Sequence, residues 1–359
     1  MKNKILIFCL AAVLSVVMLG GCGGNKAAVS GELKEDASAK SGVSEEQAPQ
    51  DEGAEAEAEN LADDVIAVVN GEELKSEHIG YYIYNNAVIR MYKIDSDTSA
   101  DVSAFDWSAS GEDGRPLSEI ITEAAIDDAI NDLVFRQMAE KSGYSVENAE
   151  KEATELVKGA LDSKGEEDFN TGINMIGIKN MDDYINVYTN ISVFEDVAEE
   201  FQTNPSKYIS DPEVLNDYRG TKGASVQHIL ILNDTDKGDA LAVAEEVEAR
   251  AKSGEDFLSL MREFNEDTGE KETGYTFPEG EMVKDFEDAA FALEIGEIDG
   301  VVKSDYGYHV IKRICGAYEL QNYWRQNSEV TVAQNAAELA DFNGVISMIN
   351  DAKAKDLSE

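Results

Sequence analysis

Two of the three histidines stand where paired imidazoles could work on one substrate. His228 lies in Val226-Gln227-His228-Ile229-Leu230-Ile231-Leu232, and His309 lies in Tyr308-His309-Val310-Ile311 after a turn at Asp305-Tyr306-Gly307. The alternation reads as strands apolar on both faces, which belong in the middle of a sheet. A histidine in each of two buried strands can orient a polar substrate or transfer a proton. It can also be a satisfied buried pair that holds the strands together, and the two roles can coexist.

These strands need elements to position them, and helix signals lie between them. Asp239 can cap a segment with Ala240, Val243, Ala244, Val247 and Ala251 on one face, and Gly254 stops it. Asp256 can start a second, with Phe257, Leu260, Met261 and Phe264 at helical spacing. Asp285 can open a third, with Phe286, Ala289, Ala290 and Leu293 inward and Gly296 beyond its end. The order is strand, three helices, a short strand over 300–303, then strand. That is a compact α+β unit with its own core.

These residues resemble a parvulin-type peptidyl-prolyl isomerase domain. The motifs that carry the likeness are Val226-Gln227-His228-Ile229-Leu230, Gly254-x-Asp256-Phe257, Gly280-Glu281-Met282-Val283-x-x-Phe286, and Tyr306-Gly307-Tyr308-His309-Val310-Ile311. The resemblance implies that His228 and His309 flank the rotating bond and that Asp267 completes their hydrogen-bond network. It also implies that Met282 and Phe286 line a pocket for the proline ring; as plain core residues they would sit inside a buried helical stripe. No metal or cofactor is implied. The chain departs from the family's Gly-Gly-Asp-Leu-Gly segment, with Glu272-Thr273-Gly274-Tyr275-Thr276-Phe277 in its place. Tyr275 or Phe277 is expected to fill the place of the missing pocket leucine, and Asn265 stands where serine is common.

The chain begins with Lys2 and Lys4, an apolar run from Ile5 to Leu19, and Leu19-Gly20-Gly21-Cys22. The run is short for a membrane span and ends in small residues, as an export signal does. A bacterial lipoprotein signal over 1–21 is expected, with lipid on Cys22; an uncleaved anchor or plain secretion are the alternatives. Residues 22–64 are rich in Glu, Ala, Ser and Gly and read as a disordered acidic tether. Lipidation of Cys22 leaves Cys315 without a disulfide partner, as a buried small hydrophobe. The net charge of −43 at pH 7 argues against nucleic acid as a partner.

Residues 65–221 open with Val65-Ile66-Ala67-Val68-Val69, an Asn70-Gly71 turn, and a helix capped by Ser76, an opening similar to that of extracytoplasmic foldases carrying parvulin domains. His78 is expected to be exposed and without a role. Helices are predicted from Pro116 through 141, and over 146–163, 181–202 and 211–218. No metal-ligand spacing, phosphate loop or Ser/His/Asp set is present. Residues 317–359 read as helix, with Leu339, Phe342, Ile346 and Ile349 on one stripe that must be covered.

The fold class expected is therefore α+β: a parvulin-like domain over 222–316, with a small antiparallel or mixed sheet, inserted in a mainly helical chaperone-like domain. The resemblance extends to PrsA-like lipoproteins. It implies an isomerase and chaperone for unfolded or partly folded exported proteins with X-Pro bonds, anchored by lipid on the extracytoplasmic face of the cell membrane. A holdase with a non-catalytic parvulin-like domain is the first alternative. A small-molecule binding lipoprotein is the second, although it calls for a repeated βαβ pattern that 117–220 does not show.

Overall fold

The computed structural model describes residues 61–94, 101–111, 113–219, 223–269 and 272–357. The expected signal, Cys22 and nearly all of the tether lie outside these residues. Strand β1 (Val65–Val69) turns at Asn70-Gly71 into β2 (Glu72–Lys75). Both turn residues take positive φ, 49° and 88°, as a two-residue hairpin requires. Ser76 opens a 3-10 turn rather than the helix itself, which follows as α1 (Gly80–Ile94). Next come α2 (Leu117–Lys141), α3 (Val146–Lys164), α4 (Glu166–Asn174) and α5 (Met181–Thr203). Helix α4 was not expected as a separate element. Gly165 at φ 85° breaks the chain before it, and three acids in its first turn favour a new N-terminus. The segment Pro212–Tyr218 is a 3-10 helix.

A second unit follows: β3 (Gly223–Leu232), α6 (Ala240–Lys252), α7 (Phe257–Phe264), β4 (Tyr275–Pro278), α8 (Lys284–Ala292), β5 (Val302–Lys303) and β6 (Gly307–Ile314). Its sheet has the order β4-β3-β6-β5 with every pairing antiparallel, so both histidine strands are central. Asp239 and Asp256 cap α6 and α7, accepting from Ala242 N at 3.0 Å and Ser259 N at 2.9 Å. Asp285 does not cap α8; Val283 occupies that position, and Asp285 lies in the first turn. One sheet face packs Ile229, Ile231 and Val310 against α6 and α7. The other packs Ala224, Val226 and Ile311 against Phe277 of β4 and Phe286 and Ala290 of α8.

The chain returns through α9 (Ala317–Gln326), β7 (Val330–Val332), α10 (Ala336–Leu339) and α11 (Phe342–Asp356). The expectation of helix alone is corrected by β7, which adds to the edge of β1, Val69 opposite Val330 and Ala67 opposite Val332. Val-Thr-Val has the β-branched side chains for this, and β1 offers unpaired backbone groups. One apolar core joins Ile66, Ile83, Ile130, Phe135 and Val193 to Leu320, Trp324 and Phe342 from the returning segment. Phe135 and Trp324 meet edge to face at 5.0 Å.

A buried ion pair marks the junction between the two cores. Arg313 on β6 and Glu319 on α9 are both fully buried and lie 2.5 Å apart. Arg313 also donates to Ala290 O at 2.9 Å, and Glu319 accepts from Gly316 N at 2.9 Å. Arg219 adds a bond from the other connection, donating to Leu293 O at 2.6 Å.

Candidate functional site

The register of β3 against β6 decides how the histidines meet. His228 is opposite Ile311 and His309 is opposite Leu230, so the two imidazoles are diagonal neighbours on the α8 face of the sheet. Their ring centroids are 5.3 Å apart. Phe286, on α8, stands edge-on to both, at 5.1 Å from His228 and 5.2 Å from His309. All three side chains are at least 95 % buried. An apolar ring thus closes one side of a polar pair.

Asp267 approaches from the segment after α7. Its Oδ2 lies 3.2 Å from His228 Nε2, accepts from Tyr275 Oη at 3.0 Å, and its Oδ1 accepts from Gly269 N at 2.9 Å. Burial pushes the Asp267 carboxyl up, but bonds from His228, Gly269 and Tyr275 outweigh it and hold the group below the ordinary carboxylate range. His309 behaves oppositely. Burial first, and His228 second, depress its pKa to about 3, which keeps the imidazole neutral near pH 7. Its Nε2 lies 2.7 Å from Ser304 Oγ.

Met282 and Phe286 differ in setting. Phe286 is 2 % exposed and belongs to the apolar cluster, whereas Met282 is half-buried at its edge. The loop bearing Met282 is held by Glu287, which accepts from Gly280 N at 2.7 Å and Met282 N at 3.4 Å. Phe277 is fully buried between Phe286 and Phe291, so it supports the cluster from beneath and presents no surface. Tyr275 is half-buried, its ring 5.5 Å from His228 and its hydroxyl turned to Asp267.

Three residues of the site have roles that the sequence does not disclose, although Asn265 stands out there as a departure from the family's serine. Asn265 Oδ1 accepts from Leu230 N at 2.8 Å and Asp267 N at 3.2 Å, pinning the Asp267 turn to β3. Ser304 and Glu287 act through contacts just described, and only the proximity of Ser304 to the His309 motif marked it. His78 corrects an expectation: it is half-buried, with Nδ1 3.1 Å from Asp183 Oδ1 on α5. Cys315 is half-buried, and burial, reinforced by Glu319, pushes its thiol up to about 12, which leaves it inert. Among the described residues no group of three or more His, Cys, Asp or Glu could hold a metal ion, and no helix is long and apolar enough to cross a membrane.

Residues 214–314 match the family described as the PPIC-type PPIASE domain. Foldase protein PrsA 3 of Bacillus cereus is 32 % identical over 167 residues, covering 46 % of this chain and 53 % of that protein. The match thus spans about half the length of that relative. Foldase protein PrsA of Caldanaerobacter subterraneus is 27 % identical over 260 residues, 71 % of this chain and 74 % of that protein. The solved parvuline NmPin of Nitrosopumilus maritimus is 38 % identical, covering 26 % of this chain and 96 % of that one, with a TM-score of 0.22. The chain is PrsA-like and carries a PPIC-type domain.

Proposed function

We propose that the 222–316 unit is a peptidyl-prolyl cis/trans isomerase carried by a helical, chaperone-like frame made of 65–221 and 317–359. The observation that carries this reading is the face shared by His228, His309 and Phe286, with Asp267 at 3.2 Å from His228. Rotation about X-Pro breaks no covalent bond, yet faces a barrier of roughly 20 kcal/mol because the amide loses resonance. A catalyst must bind the twisted amide better than the planar one. Met282 and the edge of Phe286 receive the proline ring and keep water from the amide, which favours the less polar twisted form. Because His309 stays neutral, its part is to orient and hydrogen-bond, in concert with Ser304, rather than to donate a proton. Asp267 fixes His228 Nε2 as a donor, leaving its ring in one orientation.

The clients in this reading are unfolded or partly folded exported proteins with X-Pro bonds. The apolar run before Cys22 and the tether behind it support lipid anchoring at the extracytoplasmic face of a membrane. The test is the cis-to-trans rate of X-Pro peptides with the full chain, wild type beside Met282→Ala and Asp267→Ala. Acceleration that falls at least about tenfold in Met282→Ala supports the pocket, a loss of about 1.4 kcal/mol of transition-state binding. A folded wild type that accelerates no X-Pro peptide, yet suppresses client aggregation, would leave the holdase instead.

A further inference from the structure

We infer that Tyr275 is a positioning residue whose phenol holds the Asp267 carboxylate against His228 and so sets the lower pH limit of the site. The inference rests on the isomerase reading above. It also changes the expected part of Tyr275, from a wall of the proline pocket to a partner of the acid.

The geometry is specific. Tyr275 Oη donates to Asp267 Oδ2 at 3.0 Å, and this same oxygen faces His228 Nε2 at 3.2 Å. The Tyr275 ring also stands edge-on to the His228 ring at 72°. Tyr275 therefore touches both members of the pair it aligns. Its place follows from β4, where Tyr275 is opposite Val226. Gly274 makes this possible: it has φ 82°, and a Cβ there would come within 2.2 Å of Val226 O. Tyr275 and Phe277, two residues apart on β4, share one face of the sheet, with Phe277 inside the apolar cluster and Tyr275 at its edge, where the hydroxyl reaches Asp267. In place of the family's Gly-Gly-Asp-Leu-Gly segment this chain carries Glu272-Thr273-Gly274-Tyr275-Thr276-Phe277, and Tyr275 supplies the phenol.

The groups facing Asp267 come from three strands: His228 of β3, Tyr275 of β4 and, at longer range, His309 of β6. Its neighbour Glu266 is engaged elsewhere, with Lys237 Nζ at 2.9 Å, Thr235 Oγ1 at 2.7 Å and Leu232 N at 2.8 Å. A phenol that donates to a carboxylate favours the ionised form. Protonation of Asp267 would weaken its hold on both donors and release the His228 ring, so the phenol extends the working range toward acid.

Tyr275→Phe in the full chain tests this, because it keeps the ring against His228 and removes one hydroxyl. Two readouts are taken: the titration of the Asp267 carboxyl carbon by NMR, and the pH profile of prolyl isomerisation with KM measured separately. The carboxyl midpoint should rise by up to about one pH unit, a tenfold change in proton affinity. The acid limb of the rate should move with it and KM should hold. In an Asp267→Asn background the same substitution should leave the pH profile unmoved. An unshifted carboxyl midpoint overturns the inference, as does a raised KM with an unmoved profile, which would put Tyr275 on the proline. If the wild type proves inactive on peptides, the carboxyl midpoint still decides the positioning role, and the isomerase reading alone falls.

Discussion

Lowering the pH from about 7.5 to about 5 should weaken the isomerase-like unit through one side chain, His309. Burial, and then His228, lower its pKa from 6.5 to about 3 in the folded protein. In the unfolded chain the same imidazole takes up a proton below about 6.5. Between these values the unfolded state binds more protons, so stability is complete above the unfolded value and is lost as the pH falls toward the folded one. At about pH 5 the loss reaches ~2 kcal/mol, from ~1.5 pH units at 1.4 kcal/mol each. His309→Gln is the reference, since its amide can still reach Ser304 and does not titrate. Wild type should lose about 2 kcal/mol more than this variant over the same pH interval. The assay is urea unfolding followed by hydrogen exchange at the amides of β3 and β6. Tryptophan fluorescence is blind to this unit, because both tryptophans, Trp107 and Trp324, lie in the helical core. An equal loss in the two proteins would refute the claim that burial holds His309 neutral.

The helical core should respond to pH with the opposite sign. Burial, with Asp128 adding repulsion against the Tyr82 bond, pushes Asp132 up to about 7, above its unfolded value. Stability there should fall as the pH rises through about 7, and Asp132→Asn should flatten that slope in tryptophan-monitored unfolding. Glu319→Gln leaves the buried Arg313 without its carboxylate and should cost about 3–5 kcal/mol in urea melts. Replacing the pair together, Arg313→Met with Glu319→Leu, should recover most of it; a single-variant cost under about 1 kcal/mol would show the junction to be wetter than described. Truncation after Asn327 removes β7, α10 and α11 and should abolish the cooperative tryptophan transition. Protection of the β3 and β6 amides should survive it, and its collapse at the same urea concentration would show that the two cores melt as one.

What was legible in the sequence was what depends on near neighbours. The alternation around His228 and His309 located two strands, and their central places follow from burial on both faces. Asp239 and Asp256 announced their caps because the accepting side chain and the N–H it serves are three residues apart. What was not legible depends on partners far along the chain. His78 looked idle because Asp183 is 105 residues away. Val330-Thr331-Val332 is too short to declare itself a strand and becomes one only against the edge of β1. Tyr275 and Phe277 look interchangeable in sequence because they share one strand face; their different depths along β4 and the position of Asp267 make one an acid's partner and the other a core ring.

The pairing of β1 with β7 sets an order of assembly. Every strand of the second sheet lies within residues 223–314, whereas the first sheet lacks its third strand until residue 330 has been made. A chain growing from its N-terminus therefore finishes the inserted unit while the surrounding frame still waits, its β1 edge open and part of its core without Trp324 and Phe342. Three residues then act as the latch. The helical frame is itself the last part of this molecule to close, and until β7 docks, its own apolar surfaces are the first a neighbouring chain would meet.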